Sequence, residues 1–342
     1  MKKTFFLAAM CFVMATVTSC NQDRDMNEQS TLESTIHTGE LDELGAYIPD
    51  QIVKNSDKYL VGFMVSEQTY TIKSDSENTE KIALLNNAVK SETPVLIYLK
   101  KGTYEIAKVE KVSESEVSKI KSSFMQSSDM RAKRAVTGGW KSFDNFVEVA
   151  NIMDELKAYE YSGRARDISS ISFGYNRNGQ PFYTAFNPNF LPTISGWFKA
   201  NYRYTKDGCF ARATVMSKFL ISKGYSCEKV WVYGAGSLKN NWSYHVAVSV
   251  SVRLHNNSIT KLVIDPSLNN APMSGDSWKK LCLKEPSNSN NFILRYSPTN
   301  VFYRSPQGVY NYDSMDLRTN CVLEQTKNTD NLTPLRINAC MK

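Results

Sequence analysis

Histidine is scarce in this 342-residue chain: there are three, His37, His245 and His255, and no Cys-x-x-Cys spacing occurs. That scarcity argues against a multi-histidine metal centre or a paired-cysteine redox or zinc motif, so no metal and no cofactor is expected. Beyond the first twenty residues no apolar run is long enough for a transmembrane helix. Internal repeats and low-complexity tracts are missing. Lysine and arginine are scattered rather than clustered with stacking aromatics, so nucleic acid is not an expected partner.

What is present begins with an export signal. Lys2 and Lys3 precede an apolar run, Thr4 to Val17, that is too short to span a bilayer stably. It ends Val17-Thr18-Ser19-Cys20, which reads as a lipobox with Cys20 lipidated, or as an ordinary secretory signal cut near Ser19. On either reading the protein leaves the cytoplasm; the first makes the membrane a partner through a lipid anchor at the cell envelope or surface. Setting aside Cys11 and Cys20 leaves Cys209, Cys227, Cys282, Cys321 and Cys340. Outside the cytoplasm four of these can form two bridges and one is left over. Cys209 is expected to stay free, with Cys321 paired to Cys340 on sequence proximity and Cys227 to Cys282.

Charge and composition divide the remainder. Residues 21–134 carry 15 Lys+Arg against 19 Asp+Glu, and residues 135–342 carry 24 against 15. An acidic segment before a basic one suits two parts that dock on each other. Residues 21 to about 43 are polar and aperiodic, hence a tether. Tyr59 to Ile72 and Pro94 to Val109 alternate as strands, with a short helix over Lys81 to Lys90 between them. Polar residues then lead to Arg131-Ala132-Lys133-Arg134, a target for an activating protease at Arg131, Lys133 and Arg134, or a solvated linker. The expected division is a signal over 1–20, a tether plus small α+β pro-domain over 21–134, and a catalytic domain over 135–342.

Three residue types in that last part carry chemistry. Cys209 opens an apolar-periodic helix (Phe210, Ala213, Met216, Phe219, Leu220) that stops at Gly224, with Asp207 as its expected cap. The first turn of a helix favours a thiolate and offers free N–H groups to an oxyanion. His245 lies in the alternating strand Tyr244 to Leu254, on the face of small and polar side chains. Asp265 ends the next strand, Ile259 to Ile264. It shares the face of His245 only if the intervening loop has odd length, for example three residues with Asn257 left-handed, or carries a bulge. Nucleophile, base and base-orienting carboxylate together suggest acyl transfer from a carboxamide.

The local text around these residues resembles the bacterial protein-glutaminases, secreted deamidases made as proenzymes. The resemblance rests on Asp-Gly-Cys-Phe-Ala-Arg-Ala at 207–213, Gly-Tyr-Ser-Cys-Glu-Lys at 224–229, Val-Tyr-Gly at 232–234, Tyr-His-Val-Ala at 244–247 and Ile-Asp-Pro-Ser-Leu at 264–268. Residues 301–306 and 319–323 are similar too. Phe210 and Thr214 depart from the tyrosine and histidine expected there, and residues 135–206 and 235–241 do not match.

The resemblance implies a papain/transglutaminase-like α+β core, its cysteine helix packed on an antiparallel sheet, and a pro-segment that covers the site. It implies a triad of Cys209, His245 and Asp265 acting on exposed glutamine of proteins or peptides. Trp242 and Tyr244 are expected to line the substrate site, and a monomer is expected. A transglutaminase or cysteine protease with the same triad is the alternative within this chemistry, and a non-catalytic surface adhesin the alternative outside it.

Overall fold

Apolar alternation in the first part of the chain builds two small antiparallel sheets rather than one. A computed structural model describes residues 41–125, 141–166, 173–175, 181–183, 193–313, 316–328 and 340. The elements are β1 (Leu41–Tyr47), β2 (Pro49–Asn55), β3 (Lys58–Phe63), β4 (Ser66–Lys73), α1 (Thr79–Ser91), β5 (Val95–Lys100), β6 (Ile106–Lys111) and α2 (Glu114–Met125). One sheet runs β1-β5-β6 and the other β2-β3-β4. The tether therefore ends earlier than expected, because β1 already buries Leu44 and Tyr47. Cys20 and the basic cluster Arg131, Lys133 and Arg134 lie outside the described residues.

The stretch expected as one strand over 59–72 folds back on itself. Phe63 pairs with Ser66 across a two-residue turn, Met64-Val65. Val65 has φ of 62°, a conformation a β-branched residue adopts only when its surroundings impose it, at a cost of about 1–2 kcal/mol. Here those surroundings are burial of Met64 and Val65 and a Met64 N–H bond to the Ile48 carbonyl. The turn aims the start of β4 at the second part of the chain.

That second part contains α3 (Phe146–Ala158), β7 (Glu160–Arg166), β8 (Phe173–Tyr175), β9 (Pro181–Tyr183), β10 (Thr193–Lys199), α4 (Cys209–Ser222), β11 (Cys227–Tyr233), β12 (Tyr244–Arg253), β13 (Ile259–Ile264), β14 (Met273–Ser274), α5 (Gly275–Cys282), β15 (Arg295–Ser297), β16 (Val301–Arg304), β17 (Tyr310–Tyr312) and α6 (Leu317–Thr326). Its centre is an antiparallel sheet ordered β14-β13-β12-β11-β15. The cysteine helix α4 packs on β11 and β12, with α6 beside it. This is the expected α+β core, and both parts belong to one compact unit, Thr38–Lys342.

Two local expectations are corrected. The α4 helix was read as amphipathic, yet Cys209 through Ser217 are all buried, Arg212 and Thr214 included. Its N-cap is Gly208, left-handed at φ 80°, and Asp207 does not cap it: the Asp207 carboxylate accepts instead from the Gly208 N–H. Cys321 and Cys340 form a disulfide, while Cys227 and Cys282 are both free. Cys227 faces Val250 at one end of the β11–β12 ladder and Val232 faces His245 near the other. Five residues of strand separate those positions, about 16 Å. Cys282 lies one helical turn beyond Trp278, whose indole N–H reaches Asp265, so it sits at the histidine end, away from Cys227.

Candidate active site

Strand register brings the three sequence-selected residues together. Val248 pairs with Ile264, and Leu254 N–H bonds to the Ser258 carbonyl, which closes a three-residue loop with Asn257 at φ 61°. This odd loop puts Asp265 on the face of His245. His245 Nε2 is 2.8 Å from Asp265 Oδ2, and both residues are buried. The other Asp265 oxygen accepts from the Ser267 N–H at 3.2 Å and hydroxyl at 2.5 Å, and Trp278 Nε1–H donates to Oδ2 at 2.9 Å. Trp242 stacks on the imidazole at 4.2 Å between centroids and 6° between planes, its own Nε1–H donating to the Thr205 carbonyl. His245 thus has its ring plane fixed by stacking and its Nε2 fixed by a carboxylate.

The opposite ring nitrogen faces the cysteine and an unexpected third party. Glu67, from β4, inserts a fully buried carboxylate between them. Its Oε1 lies 2.7 Å from His245 Nδ1, and its Oε2 accepts the Cys209 N–H at 3.1 Å. Arg212 Nη2 stands 4.0 Å from Oε2. A Glu67 oxygen, Cys209 Sγ and a His245 nitrogen all lie within 4.8 Å of one another. These are metal-ligand types, but the 2.7 Å contact is a shared proton's distance. Trp278, Ser267 and Glu67 were missed by the sequence reading. The first two carry only weak signals; Glu67 had one, a lone carboxylate beside Gln68 in a strand otherwise rich in aromatic and β-branched residues.

The electrostatics follow from burial and these partners. Burial alone disfavours charge on His245, but Asp265 and Glu67 outweigh it and raise its pKa to about 9. Burial likewise opposes ionisation of Asp265, and the His245 charge with the Ser267 and Trp278 hydrogen bonds holds it below the usual carboxylate range. Cys209 is pushed well up, first by burial and then by the Glu67 charge. The imidazolium is therefore paired with two carboxylates, and Cys209 is a thiol. Asp207, buried and facing Glu67, is raised to about 8.

Of the two residues expected to line a substrate site, Trp242 lies against the histidine ring. Tyr244 is buried on the other face of β12, among Trp231, Tyr233 and Tyr303.

A cysteine at a buried helix start, with histidine and aspartate on adjacent antiparallel strands, is the core of the papain/transglutaminase class of cysteine hydrolases. Residues 193–282 match a family model described as glutaminase. Two solved structures of pro-protein-glutaminase, one of them a mutant, align over 86% of this chain at 27% and 28% identity. They cover 98% and 96% of those chains, with TM-scores of 0.64 and 0.62. No curated protein matches the sequence. Across both of its parts the chain is similar to the pro-form of protein-glutaminase.

Proposed function

We propose that this protein hydrolyses glutamine side chains of proteins or peptides to glutamate and ammonia, and that residues before the catalytic part hold it latent. The observation that carries the reading is Glu67. Its side chain, which is that of the reaction product, occupies the space between the Cys209 N–H and His245 Nδ1. A site that accepts a glutamyl side chain end-on is suited to a side-chain amide rather than a main-chain one, which favours a deamidase over a protease.

In the proposed reaction the Cys209 thiol loses its proton to His245, and the thiolate attacks the carboxamide carbon. The developing oxyanion takes the position of Glu67 Oε2, against the Cys209 N–H. His245, as imidazolium, protonates the departing ammonia, and a thioester remains. Neutral His245 then removes a proton from water, which attacks the thioester and releases glutamate and the thiol. Asp265 keeps the imidazole oriented through Nε2 and stabilises its charged form. Trp242 holds the ring plane. With Glu67 in place the imidazolium's partner is a carboxylate instead of the thiolate, and the nucleophile is blocked.

Export, the lipid anchor at Cys20 and activation by a protease at Arg131 to Arg134 remain part of this proposal. The test uses the full chain before and after proteolytic cutting within residues 126–140, incubated with a glutamine-rich protein. Ammonia together with 1 Da mass gains at glutamine, from the cut chain and not from the Cys209→Ala variant, is expected. Cross-links instead of ammonia mean a transglutaminase, new termini a protease, and no product an adhesin.

A further inference from the structure

The catalytic part holds Glu67 by its main chain as well as by its carboxylate. Its N–H donates to Asp207 Oδ1 at 3.3 Å, and its carbonyl accepts the Ser243 N–H at 2.5 Å. The flanking residues are held the same way. Ser243 Oγ donates to the Ser66 carbonyl at 3.1 Å, Gln68 bridges Trp242 in antiparallel fashion, and Asn241 Nδ2 donates to the Thr69 carbonyl at 2.7 Å. Residues 66–69 therefore lie in the cleft as an added strand, bound through groups that every peptide carries. Of the groups named here, Asp207 supplies the one side chain that accepts an N–H of residue 67. It is fully buried, and its Oδ2 has no hydrogen-bond partner. A buried carboxylate without a full set of donors is costly unless something in its site needs it. Nor does it cap the cysteine helix, the role its position suggested.

We propose that Asp207 is a specificity-determining residue that accepts the main-chain N–H of the substrate's glutamine, while the Ser243 N–H binds its carbonyl, so that the glutamine is read within an extended peptide segment. This rests on the deamidase reading of the same site. Cys209 and Asp207 are separated by one residue, so one tight turn at Gly208 sets both the attack on the side chain and the grip on the backbone. Glutamine in a loop or unfolded stretch can present both; glutamine in a helix has its N–H already bonded.

The test compares two peptides of one sequence, one normal and one with the glutamine N–H replaced by an ester oxygen. On the cut chain at about pH 9, above the raised value of about 8 for Asp207, the normal peptide should have a kcat/KM about 10- to 100-fold higher, the range for a hydrogen bond to a charged group. Asp207→Ala should turn over the normal peptide at about the ester's rate and distinguish the two less than about twofold, whereas Asp207→Asn, which keeps an acceptor, should restore part of the preference. Binding of the matching glutamyl product peptides to the cut Cys209→Ala chain gives a readout without catalysis, with the amide tighter than the ester by about tenfold or more. Equal binding or equal turnover of amide and ester by the chain with Asp207 intact overturns the proposal, as does undiminished discrimination in Asp207→Ala. Tighter amide binding without any ammonia release supports the grip and counts against the deamidase reading instead.

Discussion

His245 stands between two carboxylates that come from different regions and are built to different standards. Asp265 directly follows β13 of the five-stranded sheet. Strand register places it, and Ser267 and Trp278 donate to it. Glu67 arrives from the first part of the chain on a strained turn. Its carboxylate is fixed by contacts it makes across the interface, to His245, the Cys209 N–H and Arg212. In the proposed mechanism one carboxylate belongs to the machinery and the other displaces the nucleophile from the imidazolium. The same pairing chemistry, placed on opposite ring nitrogens, can thus support catalysis or suppress it. Around Glu67 the docking relies on buried hydrogen bonds and close packing: Asp50 to Tyr303, Asn241 to Thr69, and Gly236 under Leu60, where a Cβ would come within 2.2 Å of Leu60 Cδ1. Salt should therefore weaken it less than the opposite charges of the two segments suggest.

The difference between the two carboxylates can be broken most severely at the permanent one. Asp265→Asn in the cut chain leaves the shape of the site but removes the charge that stabilises the imidazolium, and should lower kcat by about 10³–10⁴-fold. Glu67→Ala should instead raise the activity of the uncut chain on a small glutaminyl peptide. A loss of activity in the uncut chain from Glu67→Ala, like that from Asp265→Asn, would erase the distinction drawn here.

Glu67→Gln in the uncut chain is the next test, and needs no added substrate. The variant places a carboxamide where the carboxylate sits, between the Cys209 N–H and His245. Residue 67 should be converted to glutamate by the chain's own Cys209, a 1 Da gain in mass, and not in the Glu67→Gln/Cys209→Ala double variant. If the amide persists with Cys209 intact, Glu67 does not mark the path of a substrate side chain.

How much of this was legible differs between the two carboxylates for physical reasons. Asp265 could be found because strands repeat every two residues, and the only open question was loop parity, settled by left-handed Asn257. Cys209 announced itself by its place before an apolar helix. Glu67 showed only as a lone carboxylate in its strand, because its partners lie 140 or more positions away in the sequence. The turn that aims it, Met64-Val65, also has no glycine, proline, asparagine or aspartate to mark it. Burial of the turn's own apolar side chains replaces that local signal. Trp278 escaped for a related reason: a tryptophan in a short helix looks like core until its indole N–H is seen to have an acceptor.

The two sides of His245 also respond differently to pH. Its pKa is raised to about 9 with Glu67 present, so the stability this contributes is full below the unfolded value of 6.5 and is lost as pH rises through about 9. Asp207 is raised to about 8, so its contribution too is lost as pH rises, between its unfolded value of 3.8 and about 8. Buried Lys229, lowered to about 7, acts in the opposite sense, gaining stability from pH 7 up to its unfolded value of 10.5, but Glu67 is not among the causes of its shift. Comparison of the uncut Cys209→Ala chain with its Glu67→Gln counterpart removes that background. The thermal midpoint of the chain with Glu67 should fall more steeply between pH 7 and 9.5, by a few degrees, corresponding to about 1 kcal/mol. Parallel curves for the two chains would mean that Glu67 and the proton on His245 are not coupled.

The smallest effect probes how finely Asp265 is tuned. Trp278→Phe keeps an aromatic ring against His245 but deletes the N–H that shares Asp265 Oδ2 with His245 Nε2. Loss of one hydrogen bond to a carboxylate whose other oxygen is still held by Ser267 is worth about 1–2 kcal/mol. In the cut chain kcat should fall roughly 5- to 20-fold with little change in KM, because the indole touches the base's partner and not the substrate. With one fewer donor Asp265 becomes a stronger proton acceptor and holds the imidazolium more tightly. The acidic limb of the pH–kcat profile, where neutral His245 is needed to activate water, should therefore move upward. A rise in KM with kcat unchanged would place Trp278 on the substrate side of the site.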